Sequence, residues 1–204
     1  MYSQYNDEKI ICKFFDNKKN GYCVDIGAAD GIINSNTRFL IEKNEWSGTL
    51  IEPHPVFFHN LNELYKTNLN IKTLNLAIFD KNSEMDFYTS GNGYEAQVST
   101  LDIEFKEKII KLYGYTYGIC RVKTLTLQSL LDDIKEEIDF LSIDAEGVDL
   151  QILKSHDWII KRPSLICVEH SIDISILNSF MESINYKKYD NNCGNTFYKN
   201  NLIK

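Results

Sequence analysis

Long apolar runs are missing from this chain of 204 residues. No stretch approaches the roughly 20 consecutive apolar residues that cross a bilayer, so no membrane span is expected. The opening segment, M-Y-S-Q-Y-N-D-E, is polar and lacks the pattern of a signal peptide, which leads us to expect a cytoplasmic protein. Basic charge is also short: 22 Lys and Arg stand against 29 Asp and Glu, giving a net charge of −7 and a pI near 5.1. Non-specific nucleic-acid binding needs a basic surface to neutralise phosphates, so no nucleic-acid partner is expected. Cysteine is scattered and odd in number, at Cys12, Cys23, Cys120, Cys167 and Cys193, with no C-x-x-C spacing. That pattern supports neither a disulfide framework nor a zinc site. Cys23 and Cys167 lie in apolar runs, where a thiol acts as a small hydrophobe.

What remains is ordinary globular material, 43% hydrophobic and 25% charged. A chain of this size buries roughly 70% of the surface its unfolded form exposes, enough for a core without staples. Short apolar runs alternate with amphipathic stretches. Strands are expected at Tyr22–Ile26, Thr49–Ile51, Ile71–Ile78, Ile138–Ile143 and Leu165–Val168, with a short one near Met85–Tyr88. Two more, at Tyr186–Tyr189 and Thr196–Tyr198, flank the turn-rich Asn191-Asn192-Cys193-Gly194-Asn195. Helical spacing appears around Ile10–Phe15, after Ser35-Asn36, over Phe57–Leu64, around Leu127–Ile134, after Val148 and around Ile174–Met181. Strand–helix alternation closing on a hairpin predicts one α/β domain over 1–204, with a Rossmann-like sheet and an antiparallel C-terminal edge. The pattern breaks over 90–121, where Gly93-Tyr94, Tyr113-Gly114-Tyr115 and Tyr117-Gly118 cluster. A long irregular segment in a small domain is more often a binding loop than inert. It is therefore expected as a substrate-facing insertion, its tyrosines either offering faces and hydroxyls to a ligand or bracing the loop.

The first strand runs into Asp25-Ile26-Gly27-Ala28-Ala29-Asp30-Gly31, and the second ends at Glu52-Pro53. A strand, a small-residue turn and a following carboxylate are how an open α/β sheet makes a nucleotide site, the acid accepting from a ribose diol. The turn lacks the G-x-G-x-x-G of dinucleotide folds, and its extra acid, Asp30, would repel a pyrophosphate. A cationic nucleoside such as S-adenosylmethionine suits it better than NAD. A nucleotide-free α/β domain with incidental glycines is the remaining alternative. The fourth and fifth strands end in Asp144-Ala145-Glu146-Gly147 and Glu169-His170, on the side where ligands bind such sheets. Asp144 or His170 is a candidate base and Glu146 a candidate orienting group, although acids at a helix start also serve as caps. Asp144, Glu169 and His170 have the donor types of a metal site, but nothing in their spacing demands one, and no metal is expected. His54, His59 and His156 lack partners in the pattern and are expected at the surface.

The runs V-D-I-G-A-A-D-G, L-I-E-P-H-P, L-S-I-D-A-E-G-V-D-L-Q-I-L and V-E-H, in that order over about residues 22–170, resemble the FkbM family of S-adenosylmethionine-dependent methyltransferases. Ser142 stands where many members have Lys, and Asp30 where many have Asn. The resemblance implies a class I methyltransferase sheet of seven strands and methyl transfer to oxygen, commonly a hydroxyl of a sugar or natural product. By position, it implies that Asp25, Gly27, Ala28 and Gly31 form the first cofactor turn and that Glu52, beside Pro53, holds the ribose. Ser35 and Asn36 would lie near the methionine end, Asn75–Ile78 with Ala77 against the adenine, and Asp144 beside the cofactor. Ser3-Gln4 resembles an N-terminal signature in part of the family. The expected partner is a small-molecule or glycan acceptor. A cofactor-binding module without activity and an NAD-dependent oxidoreductase are the competing readings.

Overall fold

The computed structural model describes residues 2–91, 93–170 and 173–202. In chain order, α1 (Asp7–Phe15) leads to β1 (Tyr22–Ile26), α2 (Arg38–Asn44), β2 (Ser47–Ile51), α3 (Pro55–Tyr65) and β3 (Ile71–Leu74). Then come β4 (Ala77–Phe79), β5 (Ser83–Ser90), a 3-10 turn over Tyr94–Val98, α4 (Ile103–Tyr113) and β6 (Tyr117–Thr126). The chain closes with α5 (Leu127–Asp132), β7 (Phe140–Ile143), α6 (Asp149–Lys154), β8 (Leu165–Glu169), α7 (Ile174–Ser183), β9 (Tyr186–Asn191) and β10 (Asn195–Asn200).

The main sheet has seven strands in the order β3-β2-β1-β7-β8-β10-β9. The first five are parallel, and β10 runs antiparallel to both β8 and β9. Strand residues alternate between two buried faces, as a sheet covered by helices on both sides requires. Val24, Ile26, Leu141, Ile143, Ile166 and Val168 pack with the apolar stripes of α5, α6 and α7. Cys23, Phe140, Leu165, Cys167 and Phe197 pack with Ile11 of α1, Leu40 and Ile41 of α2, and Leu61 and Tyr65 of α3. Cys23 and Cys167 are buried hydrophobes, as their setting predicts. Among the described residues, no helix is long and apolar enough to cross a membrane.

Three expectations change. The run Ile71–Ile78 is two strands, because Asn75 turns the chain there by donating its amide to the carbonyls of Glu52 and Pro53 at 2.9 and 3.2 Å. β3 stays in the main sheet, and β4 leaves it to join a second sheet, β4-β6-β5. The segment 90–121 is more ordered than its sequence suggests. β5 and β6 pair antiparallel from Ser83↔Thr124 to Ser90↔Tyr117, and only their connection carries the 3-10 turn and α4. The first half of β6 holds no buried residue, with Ile119 65% exposed, so no apolar alternation marks it, and inside and outside alternate only from Arg121 to Thr124. Finally, of Ser35 and Asn36, both good capping residues by type, only Ser35 serves the start of α2. Thr37 is its N-cap residue, while Ser35 Oγ accepts from the Arg38 amide at 3.1 Å and Asn36 reaches Ser142 Oγ at 3.2 Å.

Trp46 ties the opening segment to the sheet. It is 1% exposed, meets Phe15 edge-on with ring centroids 5.0 Å apart, and donates Nε1–H to the Lys18 carbonyl at 2.8 Å. Trp46→Ala should lower the free energy of unfolding by about 3–5 kcal/mol, read from the shift of a urea unfolding curve.

Candidate functional site

The site begins where β1 ends. Gly27 and Ala28 both donate their amides to the Ile51 carbonyl at 3.0 Å, and the Asp144 amide donates to the Ile26 carbonyl at 3.0 Å. These bonds bring the ends of β1, β2 and β7 together. Gly27 has φ +83°, and a Cβ on it would lie 1.8 Å from the Asp144 carbonyl oxygen. The glycine is therefore required by the neighbouring strand's backbone before any ligand enters. The turn then aims the Ala29 amide at Glu52, whose Oε2 accepts from it at 2.9 Å while Oε1 accepts from the His54 amide at 2.7 Å. The carboxylate expected to hold a ribose is thus fixed in direction by two backbone donors.

A cavity of about 590 Å³ opens over these strand ends. Gly27, Ala29, Asn34 and Asn36 line it from the first loop, Glu52 and Pro53 from β2, and Ala77 and Ile78 from β4. Asp144, Glu146, Glu169 and His170 line it from the ends of β7 and β8. The connection from β5 to β6 supplies Glu95, Gln97, Phe105, Lys108, Tyr113 and Tyr115, and Gln4, Tyr5 and Asn195 complete the wall.

Acidic groups dominate the wall. Asp144, Glu146 and Glu169 each place a ligand atom within 4.8 Å of the others. Burial, then the charges of Glu169 and of Asp149 at the start of α6, push Asp144 well above the usual carboxylate range. Burial and the same neighbours do so for Glu146. Burial and Asp149 raise Glu169 to about 7, against a hydrogen bond from Asp144 that pulls it down. Burial lifts Glu52 to about 7 despite its two amide donors. Beneath the turn, Asp25 accepts from Thr37 Oγ1 at 2.6 Å, and burial lifts it to about 6. The turn after β7 is itself held open: Glu146 has φ +52°, and its carbonyl accepts from Thr100 Oγ1 at 2.7 Å. A Cβ on Gly147 would lie 3.1 Å from Phe105 of α4, so the inserted helix packs directly over the turn.

Of the cofactor residues expected from sequence, Gly27, Asn36, Glu52, Pro53, Ala77 and Asp144 line the cavity. Asp25, Ala28, Gly31 and Ser35 lie outside that lining and support it from behind. Ala28 is in the core with Leu40 and Leu61, and Gly31 faces Leu61, Leu64 and Tyr65. The Asp30 carboxylate accepts from the Ile32 and Ile33 amides at 2.8 Å, so it stabilises its own loop outside the cavity lining, and its charge reaches the cavity only through Glu52. The catalytic candidates His170, Asp144 and Glu146 all reach the cavity. His170, however, is engaged through Nε2 with Thr196 Oγ1, and its ring also bonds the Cys193 carbonyl. His59 is exposed as expected, but His54 and His156 are buried, at 2% and 6% exposure. His54 Nε2 bonds the Gly91 carbonyl at 3.2 Å and His156 Nε2 the Ile160 carbonyl at 3.0 Å, contacts across loops that no local pattern announces. Tyr113 and Tyr115 line the cavity, while Tyr117 braces the connection by donating to the Val98 carbonyl at 2.9 Å. The side chain of Tyr94 lies outside the described residues. Sequence reasoning missed Glu95, Gln97, Phe105, Lys108, Tyr5 and Asn195, which reach the site only through tertiary packing.

A sheet of this order, with an acid-lined crevice at the carboxyl ends of its parallel strands, defines the class I methyltransferase fold. The chain belongs to the FkbM methyltransferase domain family, whose model matches residues 25–189. Among solved structures, it is similar to the methyltransferase FkbM from Methylobacillus flagellatus KT at 16% identity and a TM-score of 0.55. That match covers 90% of this chain and 44% of the other, so the present chain spans less than half of that relative's length. TrmK of M. capricolum, determined with S-adenosyl-homocysteine, gives 13% identity and a TM-score of 0.53 over 98% of this chain and 70% of the other. A putative caffeoyl-CoA O-methyltransferase from Staphylococcus aureus gives 10% and 0.52 over 94% and 81%. Comparison with curated protein sequences finds no significant match.

The raised carboxyls make a pH prediction. Glu52 moves from 4.5 to about 7 and Asp25 from 3.8 to about 6, so in that window the folded state holds protons that the unfolded chain has lost. Stability must then fall as pH rises through the window, and the raised Asp144 and Glu146 carboxyls carry the decline beyond it. The melting temperature of the ligand-free protein should decline between about pH 5 and about pH 7.5, and Glu52→Gln should flatten part of that slope.

Proposed function

We propose that this chain is an S-adenosylmethionine-dependent O-methyltransferase acting on a hydroxyl of a sugar or related metabolite. The observation carrying the cofactor is a cavity with five carboxylates on its wall, Glu52, Glu95, Asp144, Glu146 and Glu169, and a single lysine, Lys108. Such a wall favours a ligand bearing positive charge, and a pyrophosphate would be repelled from it. Glu52 would hold the ribose hydroxyls, Ala77 and Ile78 would face the base, and Gly27, Ala29 and Asn36 would follow the chain toward the methionine end. Asp25, Ala28, Gly31 and Ser35 would shape that turn from behind. When bound, S-adenosylmethionine supplies a methyl group already activated on a sulfonium.

What the protein must add is alignment of the acceptor oxygen, which can contribute roughly 7–11 kcal/mol, and a group to take its proton. Asp144 lies beside Glu169, and burial with its acidic neighbours pushes Asp144 well above the usual carboxylate range, so it keeps its proton. That leaves the Glu169 carboxylate as the acceptor for the hydroxyl proton, with Glu146 beside it orienting the substrate. The Oε2 atom of Glu169 has no partner within the protein. His170, with its ring engaged by Thr196 and Cys193, positions the end of β8. The segment 90–121 would form the acceptor side of the cavity. The close spacing of Asp144, Glu146 and Glu169 also favours a second reading in which a hard divalent cation assists.

Calorimetry with S-adenosylmethionine and its demethylated product tests the cofactor half. Glu52→Gln should weaken both by about 10–100-fold, the loss expected for hydrogen bonds to a charged group. Thermal protection by NADH in place of S-adenosylmethionine would overturn the cofactor assignment. For the chemistry, labelled S-adenosylmethionine incubated with fractions of glycans and small metabolites should deliver label to a hydroxylated acceptor. Glu169→Gln should slow that transfer by about 10²–10⁴-fold with cofactor affinity retained. Activity that survives exhaustive chelation supports the metal-free form, and activity lost and then restored by Mg²⁺ decides for the other.

A further inference from the structure

The segment before α1 does more than lead into a helix. Gln4 and Tyr5 line the same cavity as the strand-end carboxylates, although they are more than 135 residues from Asp144 in sequence. Both ends of the segment are fastened. On one side, the Tyr2 ring meets Phe39 edge-on at 5.6 Å and lies under the Arg38 guanidinium at 5.5 Å. Its hydroxyl donates to Glu42 Oε2 at 3.2 Å. The Tyr2 and Ser3 amides donate to the Glu8 carboxylate at 3.3 and 3.2 Å, and the Ser3 hydroxyl donates to it as well. On the other side, fully buried Asp7 accepts from the side-chain amides of Asn192 and Asn195 at 2.6 and 3.1 Å. The Tyr5 ring lies on Gly194 so closely that a Cβ there would come within 2.1 Å of its Cε2. Asn6, with φ +60°, turns the chain from this strap into α1.

We propose that Gln4 and Tyr5 are specificity-determining residues, forming one wall of the acceptor subsite. This rests on the methyltransferase reading above. The strap bridges α2 and the β9–β10 turn and is held at both ends by ring contacts and hydrogen bonds independent of any ligand, so its two cavity-facing side chains are presented at a fixed place. Tyr113 and Tyr115, whose centroids are 5.7 Å apart, bring aromatic surface to the cavity from the end of α4. Tyrosine walls from the start and the middle of the sequence, with the Gln4 amide able to donate and accept, suit a hydroxyl-bearing ring. Aromatic faces cover its C–H surface, and amide and carboxylate groups take its hydroxyls. The strap and α4 therefore define the acceptor, while the parallel strand ends define the cofactor.

The test uses a panel of methyl hexopyranosides followed by saturation-transfer NMR with saturating S-adenosylhomocysteine, and calorimetry of S-adenosylhomocysteine alone. Wild-type protein should show transfer to ring protons of at least one glycoside. Gln4→Ala and Tyr5→Ala should weaken that glycoside at least tenfold while affinity for S-adenosylhomocysteine stays within twofold. Gly194→Ala displaces the Tyr5 ring without altering its chemistry and should give the same split. Unchanged glycoside affinity in all three variants overturns the proposal. So does an equal loss of both ligands with a lowered melting temperature, which marks the strap as merely structural. Wild-type protein that binds S-adenosylhomocysteine but no glycoside overturns the ring-shaped acceptor. Failure to bind S-adenosylhomocysteine overturns the methyltransferase reading itself, a distinct result.

Discussion

The contact on which the site depends is backbone against backbone. Where β1 and β7 end side by side, the Cα of Gly27 sits so close to the Asp144 carbonyl that any side chain would overlap it. That approach fixes the positive φ of the turn, and the turn directs the Ala29 amide to Glu52. The same contact starts the β7 exit at Asp144, from which the Asp144–Gly147 bend carries two acids over the crevice. An alanine at 27 would separate the two strand ends, and the cofactor and catalytic halves would lose their common origin.

The second constraint is electrostatic. Carboxylates removed from water favour their neutral form, and like charges reinforce that preference. Asp25, Glu52, Asp144, Glu146 and Glu169 all shift upward for these reasons. A fold under selection for stability alone would have placed cations among them. Lys108 stands on an exposed part of α4, and Ser142, inside β7, carries no charge. Perturbed acids concentrated in one crevice mark a functional site more often than a structural network. A cationic ligand would relieve the strain by letting these groups ionise beside it.

What could be read from the residues followed physical locality. Tyr22–Ile26, Phe140–Ile143 and Leu165–Glu169 are buried on both faces, so their apolar runs announced a parallel sheet, and the Gly27 and Glu52 turns were legible because strand ends carry their own punctuation. The first half of β6 was not legible, since none of its residues is buried and the alternation that marks a half-buried strand begins only at Arg121. The break at Asn75 was hidden because its cause is a pair of bonds to carbonyls of another element, at Glu52 and Pro53. His54 and His156 were misplaced for the same reason: their partners are backbone carbonyls in loops. Asp30 misled in a more instructive way. The inference from it, that the cavity favours positive charge, agrees with the carboxylates on the wall, but its own carboxylate is spent on the Ile32 and Ile33 amides.

The division of labour follows from where variation is cheap. Residues at the ends of β1, β2 and β7 are locked by one another's backbones, so a change there disturbs the sheet as well as the ligand. The connection from β5 to β6 and the strap before α1 lie outside the main sheet and can exchange cavity-facing side chains without disturbing its strand register. Glu95, Gln97, Tyr113 and Tyr115 on one, and Gln4 and Tyr5 on the other, are such side chains. In the proposed function, a constant strand-end crevice holds the methyl donor and two peripheral pieces choose the acceptor. Acceptor choice can then be altered while the crevice that would hold the methyl donor stays intact.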